Sequence, residues 1–465
     1  MISLDKKSNV PLYTQIYDRI RELIVSGELP ADSKLTAVRV MAGNLGVSKN
    51  TVETAYKQLL SEGFIRAEAG SGYYVEDIRS DLMYSDSRME HPNIHSNVEN
   101  IKYDFRYSCI EAENFPWKKW KHYLVEAISD MEYQDYVSYE ACKGNVELRE
   151  NLRNYLSKNR GVMCDAKQLV VCSGTQHAAE IVAGILGGKG VDVAFEEPGF
   201  YTTRNIFKRS GCNVIPISVT ERGINIEELN KTKAKLVYVT PSRQMPTGYT
   251  MPKSKRLELL KWAEENDAYI FEDDYDSEFR YGSIPVPSIQ SMDKSDRVIY
   301  VGTFSKILVP SFRMAYFVLP KKLLKIFEKK YKYFNSFLPT SHQIATAKFL
   351  EDGSLERHMR RMVMLNQDKC EILMKSLKKY LGDSIEFYGQ PGGTYILVKL
   401  KNSGDEESFL KKLKENSIKI YGTEEFFLNK RKHVPHLFMI GFNSINSRVI
   451  EDGCLEISKV LQIDP

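Results

Sequence analysis

Six short apolar runs constrain this chain more than any other feature: residues 169–172 (LVVC), 191–195 (VDVAF), 236–239 (LVYV), 269–271 (YIF), 298–301 (VIYV) and 314–319 (MAYFVL). Each is the length of a strand, and the stretches between them have room for helices. Such alternation predicts an α/β fold with a mostly parallel sheet covered by helices. Ligands of open α/β sheets bind beyond the carboxyl ends of the strands, so the polar turns that follow these runs are where chemistry is expected.

Five of those turns carry informative residues in a fixed order: SGTQHAAE (173–180), EEPGFYTTR (196–204), TPSRQMPTG (240–248), EDDYDSEF (272–279) and GTFSKILVPSFRMAY (302–316). The first opens a helix, where unpaired backbone N–H groups can hold an anion, although Ser-Gly-Thr also makes an ordinary cap. A lysine that forms an imine with an aldehyde cofactor needs a phosphate site, an acid facing the pyridine nitrogen and a flat partner for the ring. Lys306 at a strand exit, the Asp273/Asp274 pair and the glycine-containing turn at 173–176 supply such a set. The acidic pair alone would also suit a solvated turn or a calcium-like loop.

Upstream, PLYTQIYDRIRELIVSGELP places Leu12, Ile16, Ile20, Leu23 and Ile24 on one helical face before Gly27 and Pro30 end it. Two short helical patterns follow about Gly46, with Ser48 as the expected N-cap of the second. FIRAEAGSGYYVE then alternates through a Gly-x-Gly tip as a β-hairpin. This is a helix-turn-helix with a wing. Its second helix would place Ser48, Lys49, Asn50 and Thr51 at base edges and phosphates, with Arg39 and Arg66 as phosphate contacts. A protein-interaction module would share the same spacing.

A length of 465 residues implies two or three domains, and 42% hydrophobic with 27% charged residues excludes a mostly disordered chain. Apolar runs of strand length and the absence of a signal-peptide pattern predict a cytoplasmic protein with no membrane span. Seven cysteines without a C-x-x-C pair indicate neither a disulfide framework nor a metal site. The net charge of +4 is small, and residues 1–77 hold nine Lys/Arg against ten Asp/Glu. DNA affinity would therefore come from the placement of a few cations.

LGVSKNTVETAYKQLLSEG (45–63) resembles the central signature of GntR-type winged helix-turn-helix regulators, with Thr36-Ala37 and Lys49 as departures. Residues 101 to about 460 resemble fold-type I, pyridoxal-phosphate-dependent aminotransferases. That resemblance implies an internal imine at Lys306, a pyridine-nitrogen partner in Asp273 and a phenolic-oxygen contact from Tyr275. It further implies a phosphate site from Gly174, Thr175, Gln176, Thr303, Ser305 and Arg313, and a ring-stacking Phe200. Tyr139 is similar to the tyrosine that reaches a neighbouring subunit's phosphate, which implies a homodimer, domain-swapped or not. Met245 and Met439 stand where aminotransferases have an asparagine and a carboxylate-binding arginine.

The joint architecture resembles the MocR/GabR subfamily. It implies a DNA-binding domain at 1–76, a linker at 77–100 and an aminotransferase-like effector domain at 101–465. The expected function is a pyridoxal 5'-phosphate-dependent regulator of operator DNA that senses an amino compound through an external aldimine. The alternative is a working aminotransferase with an accessory DNA-binding module. Arg204 and Arg243 are the effector contacts this reading expects.

Overall fold

The computed structural model describes residues 4–5, 8, 10–68, 70–77, 101–107, 110–281, 286–401 and 405–462. The chain forms two compact units, Met1–Val98 and Glu99–Pro465. Of the expected linker at 77–100, all but Asp77 lies outside the described residues.

In the smaller unit, α1 (Leu12–Val25), α2 (Val38–Leu45) and α3 (Lys49–Ser61) bury Ile16, Ile20, Ile24, Val52, Ala55 and Leu59 in one core. Gly46 closes α2 in the left-handed region at φ 63°, which a glycine adopts without strain. The Ser48 side chain then accepts from the Thr51 amide and starts α3. β1 (Ile65–Glu68) and β2 (Gly72–Val75) pair antiparallel as the wing. This is the expected winged helix-turn-helix.

In the larger unit, the short strand β3 (Tyr103–Asp104) precedes an eight-stranded sheet. Its strands are β4 (Leu169–Cys172), β5 (Asp192–Glu197), β6 (Asn213–Thr220), β7 (Gly223–Ile224), β8 (Leu236–Val239), β9 (Tyr269–Asp274), β10 (Val298–Thr303) and β11 (Ala315–Val318). Their spatial order is β4-β11-β10-β9-β8-β5-β6-β7. The pairings from β10 across to β6 are parallel. The run at 314–319 corrects the simple alternation, because β11 lies antiparallel to both β10 and β4. Residues 304–314 hold only a short 3-10 turn at Pro310–Phe312, and without a crossover helix the chain can only return antiparallel.

The sequence reading did not anticipate a second sheet. β12 (Ile385–Gly392), β13 (Tyr395–Leu400), β15 (Tyr421–Gly422) and β16 (Leu437–Gly441) form an antiparallel sheet in the order β12-β13-β16-β15. The two-residue strand at Ile418–Lys419, β14, pairs with β3, which ties the start of this unit to its C-terminal part. Among the described residues, no helix is long and apolar enough to cross a membrane.

Candidate functional site

The exits of β4, β5, β8, β9 and β10 converge on a cavity of about 390 Å³. One end is made by the helix Thr175–Leu186. Its N-cap is Gly174 at φ 100°, with no side chain capping the first amides. Gly174, Thr175, Gln176, Thr303, Ser305 and Arg313 all line this end. A β-carbon on Gly174 would come within 2.7 Å of an Arg313 guanidinium nitrogen, so the glycine is what lets the cation approach the helix start. A helix N-terminus beside an arginine is a site for a dianion such as phosphate.

The two aspartates each have an Oδ1 without a hydrogen-bond partner, and they differ in which one is ion-paired and which one lines the cavity. Asp274 accepts from Arg160 Nε at 2.7 Å and from the Tyr300 hydroxyl at 2.6 Å, so it belongs to a buried ion pair. Asp273 lines the cavity and accepts only from the Tyr238 hydroxyl, at 2.7 Å on Oδ2. Its Oδ1 is buried without a hydrogen-bond partner. Burial with no adjacent cation pushes the Asp273 carboxyl up to about 7. A protonated ring nitrogen is the partner this oxygen lacks, so the donor set fits pyridoxal phosphate.

Lys306 Nζ lies between these features, donating to the Tyr107 carbonyl at 2.6 Å and to Thr394 Oγ1 at 3.2 Å. Thr394 Oγ1 donates to the same carbonyl at 2.8 Å. Phe200 and Tyr275 also line the cavity, as the resemblance requires of a stacking ring and a phenol.

Sequence reasoning missed Tyr107, Thr394 and Tyr201. One signal was available for Thr394, the glycine pair that precedes it. A β-carbon on Gly393 would come within 2.1 Å of Asp276 Oδ2, so only glycine lets β13 approach the strand-exit loop. Tyr107 has no comparable local mark.

The two expected effector contacts lie outside the cavity. Arg204 donates to the carbonyls of Phe426 and Glu425, at 3.1 and 2.8 Å, inside the protein. Arg243 is buried against Asp276 at 3.5 Å, stacks on Tyr395 and donates to its carbonyl at 3.0 Å. Neither lines the cavity: Arg204 ties the helix Tyr201–Arg209 to the turn Glu424–Phe426, and Arg243 ties the loop after β8 to β13. Tyr139, expected at a neighbouring subunit's phosphate, is 84% exposed and does not line this chain's cavity. Arg66, expected at a phosphate, sits among Asp32, Glu68 and Glu76 at 2.7, 3.5 and 3.7 Å. On the other hand, Arg39, Ser48, Lys49 and Asn50 are exposed on α2 and at the start of α3, with Thr51 half-buried and Lys49 paired to Glu53 at 3.2 Å.

The family model for aminotransferase class I and II matches residues 111–431, and that for bacterial regulatory proteins of the gntR family matches residues 12–75. The chain is 32% identical to the uncharacterized HTH-type transcriptional regulator YdeL of Bacillus subtilis, covering 99% of both chains. It is 33% identical to the probable rhizopine catabolism regulatory protein MocR of Rhizobium meliloti, over 88% of this chain and 85% of that one. Among solved structures, a kynurenine aminotransferase of Pyrococcus horikoshii superposes with a TM-score of 0.69 at 23% identity, over 83% of this chain and 94% of that one. At that identity the likeness shows the fold.

Proposed function

The chain belongs to the GntR-type, MocR-like transcriptional regulators whose winged helix-turn-helix is joined to an aminotransferase class I and II domain, and on that premise we propose that it binds pyridoxal phosphate at Lys306 and reports an amino compound there to its DNA-reading unit. The observation that carries this reading is the pairing, in one cavity, of the Lys306 amino group with a buried Asp273 oxygen that has no protein partner.

When bound, the cofactor supplies an aldehyde carbon that joins a primary amine as C=N and can exchange one amine for another with no net oxidation or reduction. The residues divide the remaining work. Gly174, Thr175, Gln176, Thr303, Ser305 and Arg313 would hold the phosphate. Asp273 would keep the ring nitrogen protonated, Phe200 would cover the ring and Tyr275 would meet its phenolic oxygen. Lys306 would anchor the cofactor, and its amino group, when free, has the Tyr107 carbonyl and Thr394 Oγ1 as partners. An amine that favours one of those two lysine positions shifts the equilibrium between two arrangements of the segment around Tyr107, which is the requirement for a sensor.

DNA is held by the exposed start of α3, through Ser48, Lys49, Asn50 and Thr51, with Arg39 on α2 at a phosphate. The protein works as a homodimer. Tyr133, Tyr139 and Tyr333 are 81%, 84% and 86% exposed, and they lie on two segments joined by the Ala141–Asn335 bridge. Phe337, on the second segment, packs edge-on against His177 at 4.8 Å, so this aromatic face adjoins the phosphate-binding helix. An exposed aromatic patch of this kind marks a protein-interaction site, which supports the homodimer reading.

The test is DNA binding by the cofactor-loaded protein, on a duplex it selects from a random-sequence pool, with and without a panel of amines. Sensing predicts that at least one amine changes the affinity without turnover. Steady consumption of an amine with a keto acceptor, and unchanged DNA binding, would instead identify a working aminotransferase.

A further inference from the structure

The cavity wall beyond Lys306, on the side away from the phosphate end, is apolar and aromatic. Tyr107, Tyr201 and Met245 line it, Met439 of β16 packs into the same cluster, and Phe200 and Tyr275, assigned to the cofactor, adjoin it. Along the cavity lining, the cationic side chains among the described residues are Lys306 and Arg313. Lys306 is the amine anchor, and Arg313 stands at Gly174, at the phosphate end.

The arginines that could reach toward a ligand are committed elsewhere. Arg243 would have to abandon Asp276, leaving a carboxylate buried, and would lose its stacking on Tyr395. Arg204 would have to leave two backbone carbonyls and the Glu197 carboxylate, 3.9 Å away. Arg106 pairs with Asp104 at 2.8 Å at the surface and does not line the cavity. Removing one member of a buried charge pair is costly, which keeps Arg204 and Arg243 in place. Among the described residues of this chain, no guanidinium other than Arg313 at the phosphate end lines the cavity, so a ligand carboxylate in this wall would be desolvated against tyrosine and methionine without a charged partner.

Resting on the function proposed above, we infer that the amino compound this pocket takes is a primary amine with an apolar or aromatic body and no α-carboxylate. The wall offers such a ligand ring and thioether contacts for its body, and phenol groups for at most a hydroxyl or ether. An α-amino acid of the same body would carry an unmatched charge into that wall.

Matched pairs test this directly. The full chain is loaded with pyridoxal phosphate beside Lys306→Ala, and the visible band is titrated with 2-phenylethylamine against L-phenylalanine, and with 3-methylbutylamine against L-leucine. Midpoints are corrected for the fraction of unprotonated amine and for reaction with free cofactor. The inference expects each amine to shift the band at a concentration lower than its amino acid by about tenfold or more. Equal midpoints, a preference for the amino acids, or no shift by either amine at millimolar concentration would overturn it while the lysine-dependent band still stands. If no band depends on Lys306, the cofactor reading itself fails, and the inference falls with it.

Discussion

Lys306 Nζ donates to the Tyr107 carbonyl oxygen at 2.6 Å, across 199 positions of sequence, and Thr394 Oγ1 joins both groups in a three-membered cluster. Tyr107 follows β3, which pairs with β14, so the lysine is linked to the N-terminal edge of the larger unit. Thr394→Val removes two of the three contacts. Its expected cost is about 1 kcal/mol in the cofactor-free protein. All three tryptophans, Trp117, Trp120 and Trp262, lie in the larger unit, so urea unfolding followed by their fluorescence reports that unit.

The raised Asp273 carboxyl makes a pH-dependent prediction. Its value rises from an ordinary 3.8 to about 7 in the folded protein, so the unfolded chain loses the proton first as pH increases. The Asp273 contribution to stability therefore falls between about pH 4 and pH 7 and changes no further above that. Asp273→Asn keeps an oxygen for Tyr238 without the charge. The cofactor-free variant should be more stable than wild type at pH 8, by about 2–4 kcal/mol, with the gap closing toward pH 4. Pyridoxal phosphate affinity should drop in the same variant.

Gly174→Ala tests the phosphate end. The new methyl meets Arg313 at 2.7 Å on a backbone at φ 100°, so the chain and the guanidinium must both move. A stability loss of about 1–3 kcal/mol is expected, together with weaker cofactor binding in a titration followed at the visible band. Unchanged cofactor affinity would detach Arg313 from the phosphate role.

On DNA, Lys49→Ala and Arg66→Ala should separate. Lys49 stands exposed at the start of α3, and its loss should reduce the slope of log affinity against log salt by about 1. Arg66 already faces three carboxylates, so its loss should loosen the wing and leave the salt slope near wild type. Fluorescence anisotropy across a salt series distinguishes the two.

The winged helix-turn-helix was legible because its determinants are local: helical spacing in α1, a glycine at 46 and a capping serine at 48. The strand-exit turns were legible for the same reason, and the cavity brings Gly174, Phe200, Asp273, Tyr275 and Lys306 together. What escaped the sequence is non-local. Arg204 and Arg243 look like ligand arginines in a turn motif, and only the folded chain shows that carbonyls at 425–426 and Asp276, distant in sequence, already occupy them. The direction of β11 escaped for want of a crossover helix, and the Tyr107 carbonyl because a backbone oxygen carries no sequence mark.

The most direct measurement follows the visible spectrum and the DNA affinity of one cofactor-loaded sample through a titration with 2-phenylethylamine, with Lys306→Ala alongside. The account predicts that both signals change with a common midpoint in the wild type, and that the variant shows neither the band nor the response. A spectral shift that leaves DNA affinity constant, or a DNA response that survives loss of Lys306, would contradict it.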